Sequence, residues 1–177
     1  MSEPHPRPEV VASRLAHDGF LRLRVDTIRY GDGPEHSAEV IEHPGGVTIV
    51  AFDAGERLLL VRQYRLPAGR DLLELPAGTL DRGESPEVCA ARELREETGY
   101  APGRLERLGG FYLAPGYCSE YQHIFLATGL SESPLEGEEP DLRLEPLPLE
   151  ETLRLVDSGG IEDAKTVAAL LLYLRRR

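Results

Sequence analysis

Residues 85–99 constrain this chain more than any other stretch. Ser85 offers an N-cap oxygen, Pro86 suits the first helical position, and Gly99 suits the left-handed residue that ends a helix. The spacing therefore predicts a helix over Pro86–Thr98. At about 100° per residue, Glu93, Glu96 and Glu97 share an arc of roughly 100°, with Ala90, Ala91 and Leu94 on the neighbouring, packing side. Glu93 and Glu97 are an i,i+4 like-charge pair, which weakens a helix. They also lie toward its C-terminal end, where the macrodipole disfavours anions. A divalent cation is the simplest compensation, and the bland alternative is a solvated acidic face paired with Arg92 and Arg95. Mg²⁺, with Mn²⁺ as substitute, suits clustered carboxylates, and the Cys and His clusters expected of zinc are missing.

Around this helix the pattern alternates between strands and turns. Phe20–Ile28 reads as a half-buried strand and Glu39–Glu42 as a short one. Val47–Phe52 and Leu58–Tyr64, joined by Asp53-Ala54-Gly55-Glu56, read as a hairpin, and Leu72–Leu75 leads into Pro76-Ala77-Gly78. Leu105–Leu113 and Tyr121–Thr128 follow as strands, then a polar loop over Ser131–Asp141 and a strand near Leu142–Leu147. Helices near Leu149–Asp157 and Asp163–Leu174 close the chain, and residues 1–9, with three prolines, read as a loose leader. The order implies an α+β fold with a mixed sheet between helices.

Composition narrows the function. The 177 residues suit one ordinary domain, and a formal charge of −11 argues against a nucleic-acid backbone as main partner. No apolar run is long enough to span a membrane, and the opening residues lack a secretory h-region. Cys89 and Cys118 make neither a disulfide framework nor a metal site, so a cytoplasmic setting is expected. Cys89 reads as a packed small residue, and the five scattered histidines as structural or surface groups. The basic residues are 19 arginines and the single Lys165, a ratio that coding bias explains as well as function does.

The register of charged and glycine residues then becomes specific. Gly78, Glu84 and the run Arg92-Glu93-Leu94-Arg95-Glu96-Glu97-Thr98-Gly99-Tyr100 stand at the intervals of the Nudix box, which this segment resembles, Tyr100 replacing the usual aliphatic residue. The resemblance implies a Nudix α/β/α sandwich that hydrolyses a nucleoside diphosphate linked to another moiety, using a divalent metal. It implies Glu93, Glu96 and Glu97 as metal ligands, with Glu84 in support and the Ala77 carbonyl as an added oxygen. Arg92 would hold a carboxylate in its ligating rotamer. Gly78 would let the loop turn tightly off its strand, and Gly99 would end the helix.

Further segments resemble the ADP-ribose pyrophosphatase branch, which also includes nucleotide-sugar hydrolases. They are Glu39–Val47, Val61-Arg62-Gln63-Tyr64-Arg65, Leu73–Gly78, Pro115 sixteen residues after Gly99, and Gly160–Thr166. The branch implies hydrolysis of ADP-ribose to AMP and ribose 5-phosphate. Alternatives are a UDP- or GDP-hexose as substrate, or a ligand sensor without turnover. It implies that Arg65 and Arg62 contact the diphosphate, that Glu74 holds the terminal ribose or an arginine, and that Glu120 lies near the metals. A catalytic Glu is expected in the loop before the last strand. Pro140 occupies its register here, leaving Glu138 or Glu139 to serve by a small shift, or the box carboxylates to do the work with the metal. Ser37-Ala38 replaces a basic residue common in the branch, and with no Trp any adenine stacking falls to Phe20, Tyr30 or another tyrosine. The branch also implies a homodimer, with residues 1–44 as N-terminal strands and dimerisation segment and 45–177 as the hydrolase domain.

Overall fold

The computed structural model describes residues 6–135 and 140–177, so Glu138 and Glu139 lie outside the described residues. Contacts divide the chain into two units: residues up to Pro44 with Ala114–Glu120, and Gly45–Leu113 with Tyr121–Arg177. The first unit is an antiparallel sheet of β1 (Glu9–Asp18), β2 (Arg22–Arg29) and β3 (Glu35–Glu42), in that order. β1 was not foreseen, and it takes in Glu9 from the supposed leader. Its side chains are exposed at every position but Val11, so it has no buried face to betray it. Ala114–Glu120 is tied to β3 by backbone bonds from Ile41 N to Tyr117 O (2.7 Å) and from Ser119 N to Ile41 O (3.0 Å).

The second unit begins with β4 (Gly46–Ala51), β5 (Arg57–Leu58), β6 (Val61–Arg65), β7 (Arg70–Glu74) and β8 (Ala77–Thr79). Helix α1 (Pro86–Thr98) follows, then β9 (Tyr100–Ala101), β10 (Arg104–Tyr112), β11 (Tyr121–Thr128) and β12 (Ser131–Glu132). β13 (Arg143–Leu144), β14 (Leu147–Pro148), α2 (Leu149–Ser158) and α3 (Ala164–Leu174) complete it. The central sheet runs β10-β11-β4-β8, with β11 parallel to β4 and the other pairs antiparallel, so the sheet is mixed.

β4 is buried along its whole length, and its alternating side chains feed two separate cores. Val47, Ile49 and Ala51 pack with Cys89, Ala90 and Leu94 of α1, joined by Phe125 and Ala127 of β11. Val50 faces the other way, toward Ile124, Leu73, Leu75, Ile161, and Ala169 and Leu170 of α3. Two apolar layers separated by a sheet make this unit an α/β/α sandwich. Small residues on α1 let its backbone approach the sheet, and burying Leu94 contributes about 1.5–3 kcal/mol.

The anticipated hairpin across residues 53–56 forms over its first pairs only. Asp53 N bonds Arg57 O and Leu59 N bonds Ala51 O, both at 2.9 Å, with Phe52 bridging Leu58 between them, after which the chain leaves the central sheet. β6 instead pairs with β7 and β13 in a second antiparallel sheet. Leu58, Leu59 and Leu60 are all buried, so no polar face marks where the chain departs. The strand expected near Leu142–Leu147 is two short pieces, β13 and β14. Among the described residues, no helix is long and apolar enough to cross a membrane.

Candidate metal and diphosphate site

Helix α1 has the predicted ends. Ser85 Oγ accepts from Val88 N at 3.3 Å, and Gly99, at φ 80°, donates its N–H to Arg95 O. These caps fix which residues of α1 face β8. β8 pairs with β4 through Val47 and Gly78, placing residues 77–79 beside the last turns of the helix. There Glu97 Oε2 accepts from Ala77 N at 2.9 Å with only 9 % of the residue exposed. One turn earlier, the Glu93 carboxylate lies against the α carbon of Gly78, and a Cβ at that position would run into it.

That contact corrects the role expected of Gly78. It sits within a paired strand without left-handed backbone, so a tight turn is not why glycine stands there. Glycine is required because the carboxylate occupies the space of a side chain.

Arg92 binds three carboxylates at once. Its Nε and Nη2 donate side-on to Glu84 Oε1 and Oε2, both at 3.0 Å, while Nη1 donates to Glu93 Oε1 at 2.8 Å and to Glu96 Oε2 at 3.0 Å. Nη2 also reaches Thr79 O at 3.3 Å, tying the helix to the end of β8. These hydrogen bonds, from Arg92 first, hold the Glu84 carboxyl below its ordinary pKa although burial opposes them. Arg95 takes no part: its Nε donates to Ser133 O at 2.9 Å. Of the two arginines in the solvated-face alternative, Arg92 does pair with Glu93 and Glu96, and Arg95 turns to Ser133 instead. Cys89 is fully buried, and burial, with Glu84 and Glu93 nearby, pushes its thiol well up, so it is a packing residue.

The corner thus gathers Glu84, Glu93 and Glu96 around the Arg92 guanidinium, with Glu97 beside them on Ala77 N, a negative excess among the described residues. Its donors are hard oxygens, the chemistry of Mg²⁺ rather than of zinc. Among the described residues, no three acidic, His or Cys side chains already converge as a cage. Mg²⁺ demands no such cage: it keeps several waters and takes one or two carboxylates with substrate phosphate. The residues fit the ion.

The expected substrate residues fall in different places. Arg65 binds Glu74 side-on, Nε to Oε1 at 2.9 Å and Nη2 to Oε2 at 2.8 Å, so of its two expected roles Glu74 is seen in the one that holds an arginine. Arg62 points from the opposite face of β6 and pairs side-on with Glu145, at 2.7 and 3.0 Å. Those bonds hold the Glu145 carboxyl low, and Arg62 lines a polar hollow with Asp71, Asp141 and Arg143. Pro115 and Glu120 belong to the unit of the N-terminal sheet.

Sequence reasoning missed Glu145 and the residues behind Glu74. Lys165 Nζ donates to Glu74 Oε2 at 2.5 Å and to Asp163 Oδ1 at 2.8 Å. The sequence carries a signal for it, a lone lysine among 19 arginines.

Comparison with known proteins agrees with this geometry. The NUDIX domain family matches residues 42–170, and the chain belongs to that family. It is 38% identical to the ADP-ribose pyrophosphatase of Bacillus subtilis (strain 168) over 153 residues, covering 85% of this chain and 83% of the relative. It is 32% identical to a GDP-mannose pyrophosphatase of Enterobacter sp. (strain 638), covering 94% of each. A crystal structure of an ADP compounds hydrolase superposes with a TM-score of 0.87 at 27% identity, covering 98% of this chain and 96% of that one. The protein is a Nudix hydrolase, of a family that uses divalent metals.

Proposed function

We propose that this hydrolase is a Mg²⁺-dependent ADP-ribose pyrophosphatase, splitting ADP-ribose with water into AMP and ribose 5-phosphate. The observation that carries the reading is the corner of α1 and β8, where carboxylates crowd around Arg92 and the Gly78 backbone. The ADP-ribose pyrophosphatase relative supports the substrate.

Glu93, Glu96 and Glu97, with the Ala77 carbonyl, would hold the ion, and Mn²⁺ would substitute. A divalent ion bound there supplies positive charge to the diphosphate oxygens and acidifies a water. Arg92 keeps Glu93 and Glu96 from swinging into solvent, and Glu84 keeps Arg92 in place. Arg65, fixed by Glu74, presents its guanidinium to the diphosphate, whereas Arg62, on the opposite face of β6 and held by Glu145, is turned away from that contact. Glu138 or Glu139 takes the proton of the attacking water. The acidic chain binds a polyanion because the ion inverts the local sign.

A GDP-mannose pyrophosphatase among the relatives favours a second reading, a nucleotide-sugar hydrolase. A panel of nucleoside diphosphate derivatives with product analysis separates the two. Higher kcat/KM for a hexose conjugate than for ADP-ribose overturns the first. Assay in H₂¹⁸O reports which phosphorus is attacked, and tight binding without cleavage establishes a sensor.

The assembly proposed is a cytoplasmic homodimer through the segment before Gly45. Its strands and the turn after β1 expose Val10, Leu15 and Phe20, the last at 77 %. A stable monomer in sedimentation would remove that arrangement.

A further inference from the structure

Glu74 is the most deeply buried carboxylate among the described residues, at 1 % exposed, and it bonds two cations. Arg65 takes the side-on edge with its planar fork. Lys165 takes the remaining position on Oε2 and reaches on to Asp163 Oδ1. The far end of the network is anchored in backbone. Asp163 Oδ2 accepts from Thr166 N at 2.9 Å as the N-cap of α3 and from Thr166 Oγ1 at 2.6 Å. Thr166 Oγ1 in turn accepts from Leu75 N at 2.8 Å, the residue next to Glu74. The start of α3 is therefore bolted to the strand that presents Glu74.

The choice of lysine has a physical reason in a chain with 19 arginines. One edge of Glu74 already holds a flat guanidinium, and the space left between two carboxylate oxygens is a single point. A compact ammonium with tetrahedral donors fits it, and a second planar fork does not. Take that ammonium away and Glu74 and Asp163 face each other as like charges. Their repulsion then shifts the Glu74 carboxylate, and the side-on seat of Arg65 shifts with it.

We propose that Lys165 is a positioning residue for the reaction, holding Arg65 in its diphosphate-facing orientation through Glu74 while Asp163 holds Lys165. This rests on the reading of Arg65 as a diphosphate contact.

The test is a double-mutant cycle on the full-length Mg²⁺-loaded enzyme, measuring kcat and KM for ADP-ribose. Lys165→Met should raise KM about tenfold, equivalent to about 1.4 kcal/mol, with kcat changed less than about threefold. In the Arg65→Ala background the same substitution should change KM less than about twofold, because the residue it acts through is gone. An equal KM penalty in both backgrounds, or an unchanged KM with only a lower melting temperature, overturns the role. Should Lys165→Met fail to fold, Asp163→Asn replaces it, since Asn still caps the helix but turns a donor toward the ammonium. It should raise KM about threefold in the wild-type background only, and an unchanged KM overturns the role. A wild type that cleaves no nucleoside diphosphate derivative overturns the function itself, and the role of Lys165 with it.

Discussion

Two charged corners flank the segment that leads from β7 to β8, and they are built on opposite principles. At the α1 end, Glu84, Glu93 and Glu96 crowd one guanidinium, and Arg92 keeps about a quarter of its side chain in solvent. At the α3 end, Glu74 and Asp163 meet Arg65 and Lys165, charge for charge, with Glu74 sealed from water. Among the described residues the first corner carries more negative than positive charge, and the second balances. An unbalanced cluster is stabilised by binding, whereas a balanced one fixes geometry beforehand.

The sharpest way to break this contrast is to remove charge from each corner in turn. Glu93→Gln and Glu97→Gln should lower kcat by about 10²- to 10⁴-fold while leaving circular dichroism unchanged. Near-normal turnover would show that the negative excess has no chemical use. Glu74→Gln should instead destabilise the fold, leaving two cations without their buried partner. The expected loss is about 3 kcal/mol, the low end for a buried pair because Arg65 is one-third exposed.

Burial raises the Glu74 pKa, but the Arg65 hydrogen bonds and Lys165 outweigh it, so the folded-state value is lowered. A lowered folded value stabilises the protein above the unfolded carboxylate pKa of about 4.3, and that stability is lost as pH falls through the folded value. Acid unfolding of the wild type should therefore steepen below about pH 4, and the Glu74→Gln variant should lose part of that steepness in denaturant titrations.

Gly78→Ala is the next effect down. Its methyl group meets the Glu93 carboxylate, and overpacking of this kind costs about 1–3 kcal/mol. A larger share should appear as weakened Mg²⁺ affinity, by calorimetry, than as lost melting temperature, because the displaced group is a side chain. Smallest of all, Glu96→Gln should raise the melting temperature in chelator slightly, a gain of a few tenths of a kcal/mol from relieved repulsion. Lowered stability there would mean that the corner is balanced after all.

The unbalanced corner was largely legible because it is local. Its carboxylates repeat at helical spacing between two strong caps, so α1 could be bounded before any packing was known. β11 was bounded equally well by its apolar run. The balanced corner was legible only in part, through the expectation that Glu74 holds an arginine. Lys165 and Glu74 stand 91 residues apart, and Arg62 and Glu145 stand 83 apart. Only the meeting of α3 with β7, and of the chain before β14 with β6, creates those pairs. The reason for Gly78 was hidden likewise, since nothing in its neighbours announces that a helix side chain will fill its place. β1 escaped because periodicity reports burial, and that strand has almost none.

One strand has a consequence for how the molecule breathes. β4 sits between β11 and β8 and sends side chains into both apolar layers, so its amides are released only when both layers part together. In deuterated buffer the backbone protons of Val47–Ala51 should be among the last to exchange, at the pace of global unfolding. The floor on which α1 rests would then be the last part of its unit to melt.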